Sequence, residues 1–192
     1  QQSVIPETLR LIADLPVKYF INTAPDNALV NALRKSGKQP LVHYYNFRLT
    51  HESKRNPKAM TIDLDRVTVD RPLVYHLFGI LDDPESLVLT SDDQLDFVRN
   101  IVRSNPPVPD EILSILDMRK TFLFLGFDME NWQLRLLLDN INLGIKSTAL
   151  STMMADRRWS TPTTTFYKER FNFRFIEKSS SRFLEELHQK IN

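Results

Sequence analysis

Short apolar runs alternate along the chain with longer segments in which apolar residues recur at helical spacing. The runs predict β-strands at residues 17–21, 40–45, 60–64, 72–77, 87–90, 121–125, 146–154 and 171–176. The helical spacing predicts helices at residues 2–14, 26–37, 91–103, 110–118, 131–142, 166–170 and 181–191. Because strands alternate with helices, we expect an α/β fold with a mainly parallel central sheet and helices on both faces, a three-layer arrangement.

Two of these runs predict strands in the interior of the sheet. Residues 17–21 read VKYFI and residues 121–125 read TFLFL, with little polar alternation. Strands that are covered on both faces have this continuous apolar character. Helix starts are predicted from capping residues: Asp26, Asp110, and Ser91 with Gln94 three positions later.

Composition is that of an ordinary globular protein. The 192 residues are 42% hydrophobic and 26% charged, which argues against disorder and favours one domain over residues 1–192. The 25 Lys and Arg nearly balance the 24 Asp and Glu, so a dedicated nucleic-acid-binding protein is not expected. No apolar run is long enough for a membrane span, and the chain contains no cysteine. We therefore expect a cytoplasmic protein with neither membrane nor nucleic acid among its partners.

Glycine is scarce and scattered. The four glycines lie far apart, so neither of the usual glycine-rich motifs that cradle a phosphate group is present. The sequence begins at Gln1 rather than at Met. We expect this chain to be a fragment or the C-terminal portion of a longer polypeptide.

Four segments together resemble the prokaryotic sirtuin-like NAD-hydrolase domains of antiphage defence proteins, within the sirtuin superfamily. Their order and spacing cover about residues 8–188. The most specific are the second, which contains DDPESLVLT, and the third, which contains FLFLGFDMENW. The four segments are residues 15–33, 71–98, 120–138 and 166–187.

The resemblance implies a Rossmann-like fold that binds NAD or ADP-ribose and cleaves the bond between nicotinamide and ribose. In the family an Asn positions the water or a ribose hydroxyl, and a His acts as general base. These two positions fall on Ala24 and Phe78, whose side chains can neither accept nor donate a proton. The family's glycine-rich segment for the pyrophosphate would precede residue 1. The scaffold therefore matches while the chemistry does not.

The resemblance also gives candidate cofactor-binding residues. Thr23 and Asp26 match the family's turn after the first strand, where Asp26 could hold a ribose or cap the following helix. Gly79 follows the position of the catalytic His, and Gly126 follows an apolar strand at the edge where open α/β sheets bind ligands. Asp128 stands in place of a family Ser, and its carboxylate would repel a pyrophosphate.

His76 is the candidate catalytic residue that remains. It lies two residues before Phe78, on the same side of an extended strand, and could act as a displaced base. The alternative is a structural histidine that is buried and hydrogen-bonded to the backbone. The acidic residues between 82 and 96 belong to a loop and a helix start, so we expect no metal.

Three functions stay open at this point. The first is a catalytically degenerate domain that senses a nucleotide or helps to assemble a larger defence-type protein. The second is an active NAD hydrolase that uses displaced residues and an upstream glycine-rich segment. The third is a structural interaction module without a nucleotide. The expected partners are a nucleotide, and either a second copy of the chain or an upstream domain of the same polypeptide.

Overall fold

A computed structural model describes residues 5–49, 62–117, 121–140, 148–153 and 159–191. The chain forms two compact units, Gln1–Pro109 and Asp110–Asn192, and each is described by itself. Whether both belong to one domain, as the sequence predicts, stays a prediction. The first unit contains α1 (Glu7–Asp14), β1 (Tyr19–Asn22), α2 (Ala28–Lys35), β2 (Leu41–Tyr44), β3 (Leu73–His76) and α3 (Ser91–Arg103). The second unit contains α4 (Asp110–Asp117), β4 (Thr121–Phe124), α5 (Trp132–Asn140), β5 (Thr148–Met153), α6 (Thr161–Phe171), β6 (Phe173–Ser179) and α7 (Ser180–Ile191).

The sheet of the first unit has three parallel strands in the order β1-β3-β2. The middle strand, β3, is buried along its whole length. Its last residue, His76, is in register with Asn22 of β1 and with Tyr44 of β2. All three strands therefore end at the same level, and their carboxyl ends form one edge.

Helices α1 and α2 pack together over one face of this sheet. The apolar residues of α2 recur at helical spacing, and this stripe faces the core. The helix ends before Gly37, whose φ of +84° favours glycine. The buried residues of the hydrophobic core between these helices and the sheet are Ala13, Leu29, Val30, Ala32, Leu33 and Val74.

Helix α3 places Phe97 against aromatic residues that follow β2 and β3. The Phe97 ring makes edge contacts with Tyr45, Phe47 and Phe78. A capping box opens α3: the Thr90 hydroxyl accepts from the Asp93 amide, and the Asp93 carboxylate accepts from the Thr90 amide. This box lies one residue before the predicted box at Ser91 and Gln94.

The second unit has a parallel sheet in the order β4-β5-β6, covered by an aromatic core. Its core is centred on Tyr167 and Phe171 of α6 and on Phe173 of β6. Ser160 caps α6 through a hydrogen bond from the Thr163 amide, and Pro162 occupies the first turn, where its missing N–H is harmless.

The α/β class with parallel sheets and flanking helices is confirmed. The interior placement of the 17–21 and 121–125 runs is wrong within each described sheet, because β1 and β4 are outer strands there. The middle strands are β3 and β5. Residues 87–90 form no strand: Arg48 binds the Leu87 carbonyl, and the Thr90 amide donates to Asp93. Of the 60–64 run, residues 60 and 61 lie outside the described residues, and the remainder is not a strand.

Candidate functional site

The carboxyl ends of β1, β3 and β2 form the candidate site of the first unit. Parallel strands that end together leave their last residues and the following turns at a common edge, which is where open α/β sheets bind ligands. Here the edge carries Asn22, His76 and Tyr44 side by side. The turn after β1, residues 22–26, and the loop after β3, residues 77–90, both leave from it.

Backbone hydrogen bonds fix this turn to β3 and to the loop that follows it. The Leu77 amide donates to the Asn22 carbonyl at 2.8 Å, and the Leu81 amide donates to the Pro25 carbonyl at 3.1 Å. The Asn22 side-chain oxygen also accepts from the Ala24 amide at 3.1 Å. The turn is therefore held at both ends before any ligand binds.

His76 is fully buried beneath this turn. Its Nδ1 lies 3.0 Å from the Ala24 carbonyl oxygen. A carbonyl oxygen can only accept, so Nδ1 carries the proton and donates. The Asn22 Nδ2 atom, 3.5 Å away, is also a donor and cannot bond to that protonated nitrogen. In the neutral imidazole the lone pair is then on Nε2, which has no hydrogen-bond partner among the described residues.

Burial also sets the charge of His76. Desolvation lowers the pKa of His76 below the ordinary value of about 6.5, against the opposing effects of the Ala24 carbonyl and the Asp26 carboxylate. The imidazole is neutral at pH 7. The turn backbone holds the buried imidazole in this arrangement, and a catalytic role for His76 stays a prediction.

Ala24 and Phe78 occupy the two positions that matter most in the resemblance. Ala24 is exposed at the tip of the turn and presents only a methyl group. Phe78 is half-buried, and its ring stands edge-on to Phe97 with centroids 5.0 Å apart. The edge therefore carries an apolar ring at the position that the resemblance assigns to the family's His, an assignment that stays a prediction.

Gly79 allows the loop after β3 to turn back closely on itself. Its φ is +82°, and a Cβ atom there would lie 2.2 Å from the Ser86 carbonyl oxygen. The buried Ser86 hydroxyl accepts from the Ile80 amide at 3.0 Å and donates to the Asp83 carbonyl at 2.6 Å. The loop folds back on itself across Gly79, so no side chain fits there.

Thr23 and Asp26 lie within the turn. Thr23 is half-buried and Asp26 is exposed. The Asp26 carboxylate accepts from the Ala28 amide at 2.9 Å, although the N-cap position of α2 is Asn27. The predicted N-cap is thus one residue early, while Asp26 still binds a free amide of the first turn.

Two residues at this edge were not predicted from the sequence. Asn22 shapes the turn through its side chain, as described above. Arg48 donates to the carbonyl oxygens of Glu85 at 2.7 Å and Leu87 at 3.0 Å, and it forms an ion pair with Asp93. Asn22 could have been noticed as a polar residue ending a strand, whereas Arg48 stands in a polar stretch with no distinguishing pattern.

The remaining candidates, Gly126 and Asp128, belong to the second unit. Gly126 follows β4 with a φ of +73° and open space where a Cβ would stand. The Asp128 carboxylate accepts from the Glu130 amide at 3.0 Å, a turn contact that occupies one of its oxygens. Beyond this turn, Glu130 accepts from the Thr163 hydroxyl at 2.6 Å, and hydrogen bonding lowers the pKa of Glu130.

Neither a metal cluster nor a membrane helix is found in the described parts of the chain. Within those residues, no three His, Asp or Glu side chains are grouped so that they could hold a metal ion. Likewise, none of the described helices is sufficiently long and apolar to cross a membrane.

Comparison with known proteins agrees with this architecture. The chain is similar to the NAD(+) hydrolase ThsA of Enterococcus faecium, with 29% identity over 137 residues. The match covers 71% of this chain and 25% of ThsA, so the chain spans about a quarter of the length of that relative. Residues 18–176 match the SIR2-like domain model. This range includes the strands β1, β2 and β3 that form the edge, as well as β4, β5 and α6. Because this match covers most of the chain, the chain belongs to the SIR2-like domain family.

Proposed function

We propose that this chain binds NAD or ADP-ribose at the carboxyl edge of β1, β3 and β2 and does not hydrolyse NAD. Membership of the SIR2-like family and similarity to an NAD(+) hydrolase support nucleotide binding. The ligand would lie against the turn that holds Thr23 and Asp26, which is already fixed by backbone hydrogen bonds. A site that is organised before binding loses less entropy when the ligand arrives.

The proposed lack of catalysis rests on the side chains of Ala24 and Phe78. Neither side chain can position water or take a proton, and general acid–base catalysis is worth roughly 10²–10⁴-fold in rate. The Phe78 ring also packs against Phe97, so it belongs to the aromatic cluster that supports α3. This pair supports a proposal in which the edge binds a nucleotide without two reactive side chains.

Retained binding without turnover suits a sensing or assembly role. In that role the nucleotide stabilises one arrangement of a larger protein, and the chain remains occupied because the ligand is not consumed. The short overlap with ThsA, a quarter of that protein's length, is compatible with one module in a longer polypeptide. We propose a defence-type setting on the same resemblance, with the nucleotide as signal.

The rival function is NAD hydrolysis with His76 as the displaced base. Asn22 and His76 lie side by side at the edge, with Asn22 Nδ2 3.5 Å from His76 Nδ1. Against this function, His76 has no exposed surface, and its Nδ1 proton is committed to the Ala24 carbonyl. Catalysis would require the turn to open and release the imidazole.

Calorimetry and a nicotinamide-release assay on the same protein separate these functions. We expect NAD and ADP-ribose to bind with Kd values below about 100 μM, equivalent to about −5.5 kcal/mol, and nicotinamide release to stay at background. Nicotinamide release that disappears in His76→Asn would favour the rival. Failure of both nucleotides to bind would favour the structural module without a nucleotide.

A pair of matched variants locates the binding edge. Ala24→Trp fills the exposed tip of the turn, and we expect it to weaken nucleotide binding at least tenfold. Lys35→Trp places the same ring on the exposed last turn of α2, away from the β1 turn, and should leave the Kd unchanged. Equal affinity in both variants would contradict binding at this edge.

A further inference from the structure

Helix α3 exposes two large apolar side chains on its outward side. Leu95 is 52% exposed and Val102 is 57% exposed, whereas Phe97, Val98 and Ile101 are buried beneath them. Residues seven apart lie two turns apart on the same side of a helix. Leu95 and Val102 therefore form one exposed apolar stripe on the described part of the first unit.

Charged residues border this stripe and change sign along it. Asp92 and Asp96 lie in its first half, while Arg99 and Arg103 lie in its second half. All four are on the outward side, and Asp96 and Arg99 form an exposed ion pair within the helix. The helix dipole accounts for acids near the start and bases near the end. It does not account for the leucine and valine between them.

This stripe is self-complementary when two copies of α3 run in opposite directions. If two copies of α3 lie antiparallel about a two-fold axis, Leu95 of one copy meets Val102 of the other, and the reverse contact follows by symmetry. The acidic half of each helix then faces the basic half of its neighbour. A parallel alignment would instead place acid against acid and base against base.

From this complementarity we propose that the outward face of α3 docks antiparallel on α3 of a second copy of this chain. The contact is an addition to nucleotide binding and does not depend on it. A helix of 13 residues is roughly 20 Å long, so one helix pair buries less than the standard interface of about 800 Å² per partner. The dimer is accordingly weak and reversible, and salt weakens it because its ion pairs are exposed.

Charge reversal in complementary halves tests this contact. Asp92→Lys/Asp96→Lys makes the stripe entirely basic, and Arg99→Glu/Arg103→Glu makes it entirely acidic. By sedimentation velocity, we expect the unaltered chain to show concentration-dependent dimerisation that weakens with added salt. Each double variant alone should be at least tenfold weaker in self-association. An equimolar mixture of the two variants should recover association, because opposite stripes then meet.

Three controls keep the result specific. Leu95→Ser/Val102→Ser should abolish dimerisation while leaving the charges in place. Asp139→Lys/Arg170→Glu reverses an exposed ion pair of the second unit and should leave dimerisation unchanged. Thermal unfolding of each variant shows that it remains folded. A wild-type chain that is monomeric up to about 200 μM, or a mixture that associates no better than its components, would overturn the proposal.

Discussion

The imidazole of His76 donates to the carbonyl oxygen of Ala24 across 3.0 Å and so joins the end of β3 to the turn after β1. The family resemblance places a catalytic Asn at this same Ala24. The turn is consequently supported from below by the buried side chain of His76. Its neutral state is a condition for that support, because burial of a charged imidazole without a partner would be costly.

The free energy of unfolding should fall as the pH falls below about 6.5. Burial lowers the pKa of folded His76, so the unfolded state binds the proton more readily. This stabilising contribution is complete above the unfolded pKa of about 6.5 and is lost as the pH falls through the folded pKa. One proton can give a slope of at most about 1.4 kcal/mol per pH unit. Urea unfolding between pH 5 and pH 8 measures it.

Two substitutions isolate the contribution of His76. His76→Asn keeps a donor nitrogen near the position of Nδ1 but does not titrate, so its stability should depend less on pH over this range. Leu95→Ala changes an exposed side chain that cannot titrate, so it should leave the slope unchanged. A His76→Asn protein with the wild-type slope would show that other groups cause it.

Replacing Gly79 by Ala should be far more destabilising than replacing Gly37 by Ala. Both glycines have φ near +80°, so both substitutions carry the left-handed strain of about 1 kcal/mol. Only Gly79 also places the new Cβ 2.2 Å from the Ser86 carbonyl, whereas Gly37 has nothing within 4 Å. We expect Gly79→Ala to lose at least about 2 kcal/mol more than Gly37→Ala in denaturant unfolding. Equal losses would mean that the loop relaxes around the methyl group.

The sequence predicted the α/β class and most elements because periodicity reports burial directly. Periodicity does not report strand order, and so β1 and β4, predicted as interior strands, are outer strands of the sheets as far as these are described. A continuous apolar run indicates that both faces of a strand are covered. Whether another strand pairs along each of its edges depends on strands that are distant in the sequence. Only hydrogen-bond pairing, which the sequence does not display, distinguishes an outer strand from a middle one.

Capping shows a second limit of the sequence. Thr90 with Asp93 and Ser91 with Gln94 are both local signals for a capping box, in its wider and its strict form. The structure uses the first, and Arg48, which is 45 positions away from Asp93, forms an ion pair with it. A contact so distant in the chain lies outside any local pattern.

Arg48 should contribute more to stability than an ordinary surface arginine. Its guanidinium binds two loop carbonyls and Asp93 at once, and it stacks on the Phe47 ring at 4.2 Å. We expect Arg48→Met to cost about 1–2 kcal/mol and to speed amide hydrogen exchange at Leu89 and Thr90. Arg10→Met removes an arginine whose exposed ion pair with Glu7 spans a single helical turn, and it should cost clearly less than Arg48→Met. Similar losses in the two variants would contradict a special role for Arg48.

Phe78 should behave as a packing residue and not as a vacant catalytic position. Its ring is half-buried and stands edge-on to Phe97, so Phe78→Ala should cost about 2 kcal/mol, below the 3–5 kcal/mol of a fully buried phenylalanine. Leu95→Ala, on the exposed side of α3, should cost less than about 0.5 kcal/mol. A double-mutant cycle with Phe78→Leu and Phe97→Leu should give a coupling of about 0.5–1.5 kcal/mol, the usual value for an aromatic pair. A loss below about 1 kcal/mol in Phe78→Ala, together with zero coupling, would indicate that the ring faces the ligand edge instead. The difference that the resemblance implies at position 78 would then bear on binding as well as on catalysis.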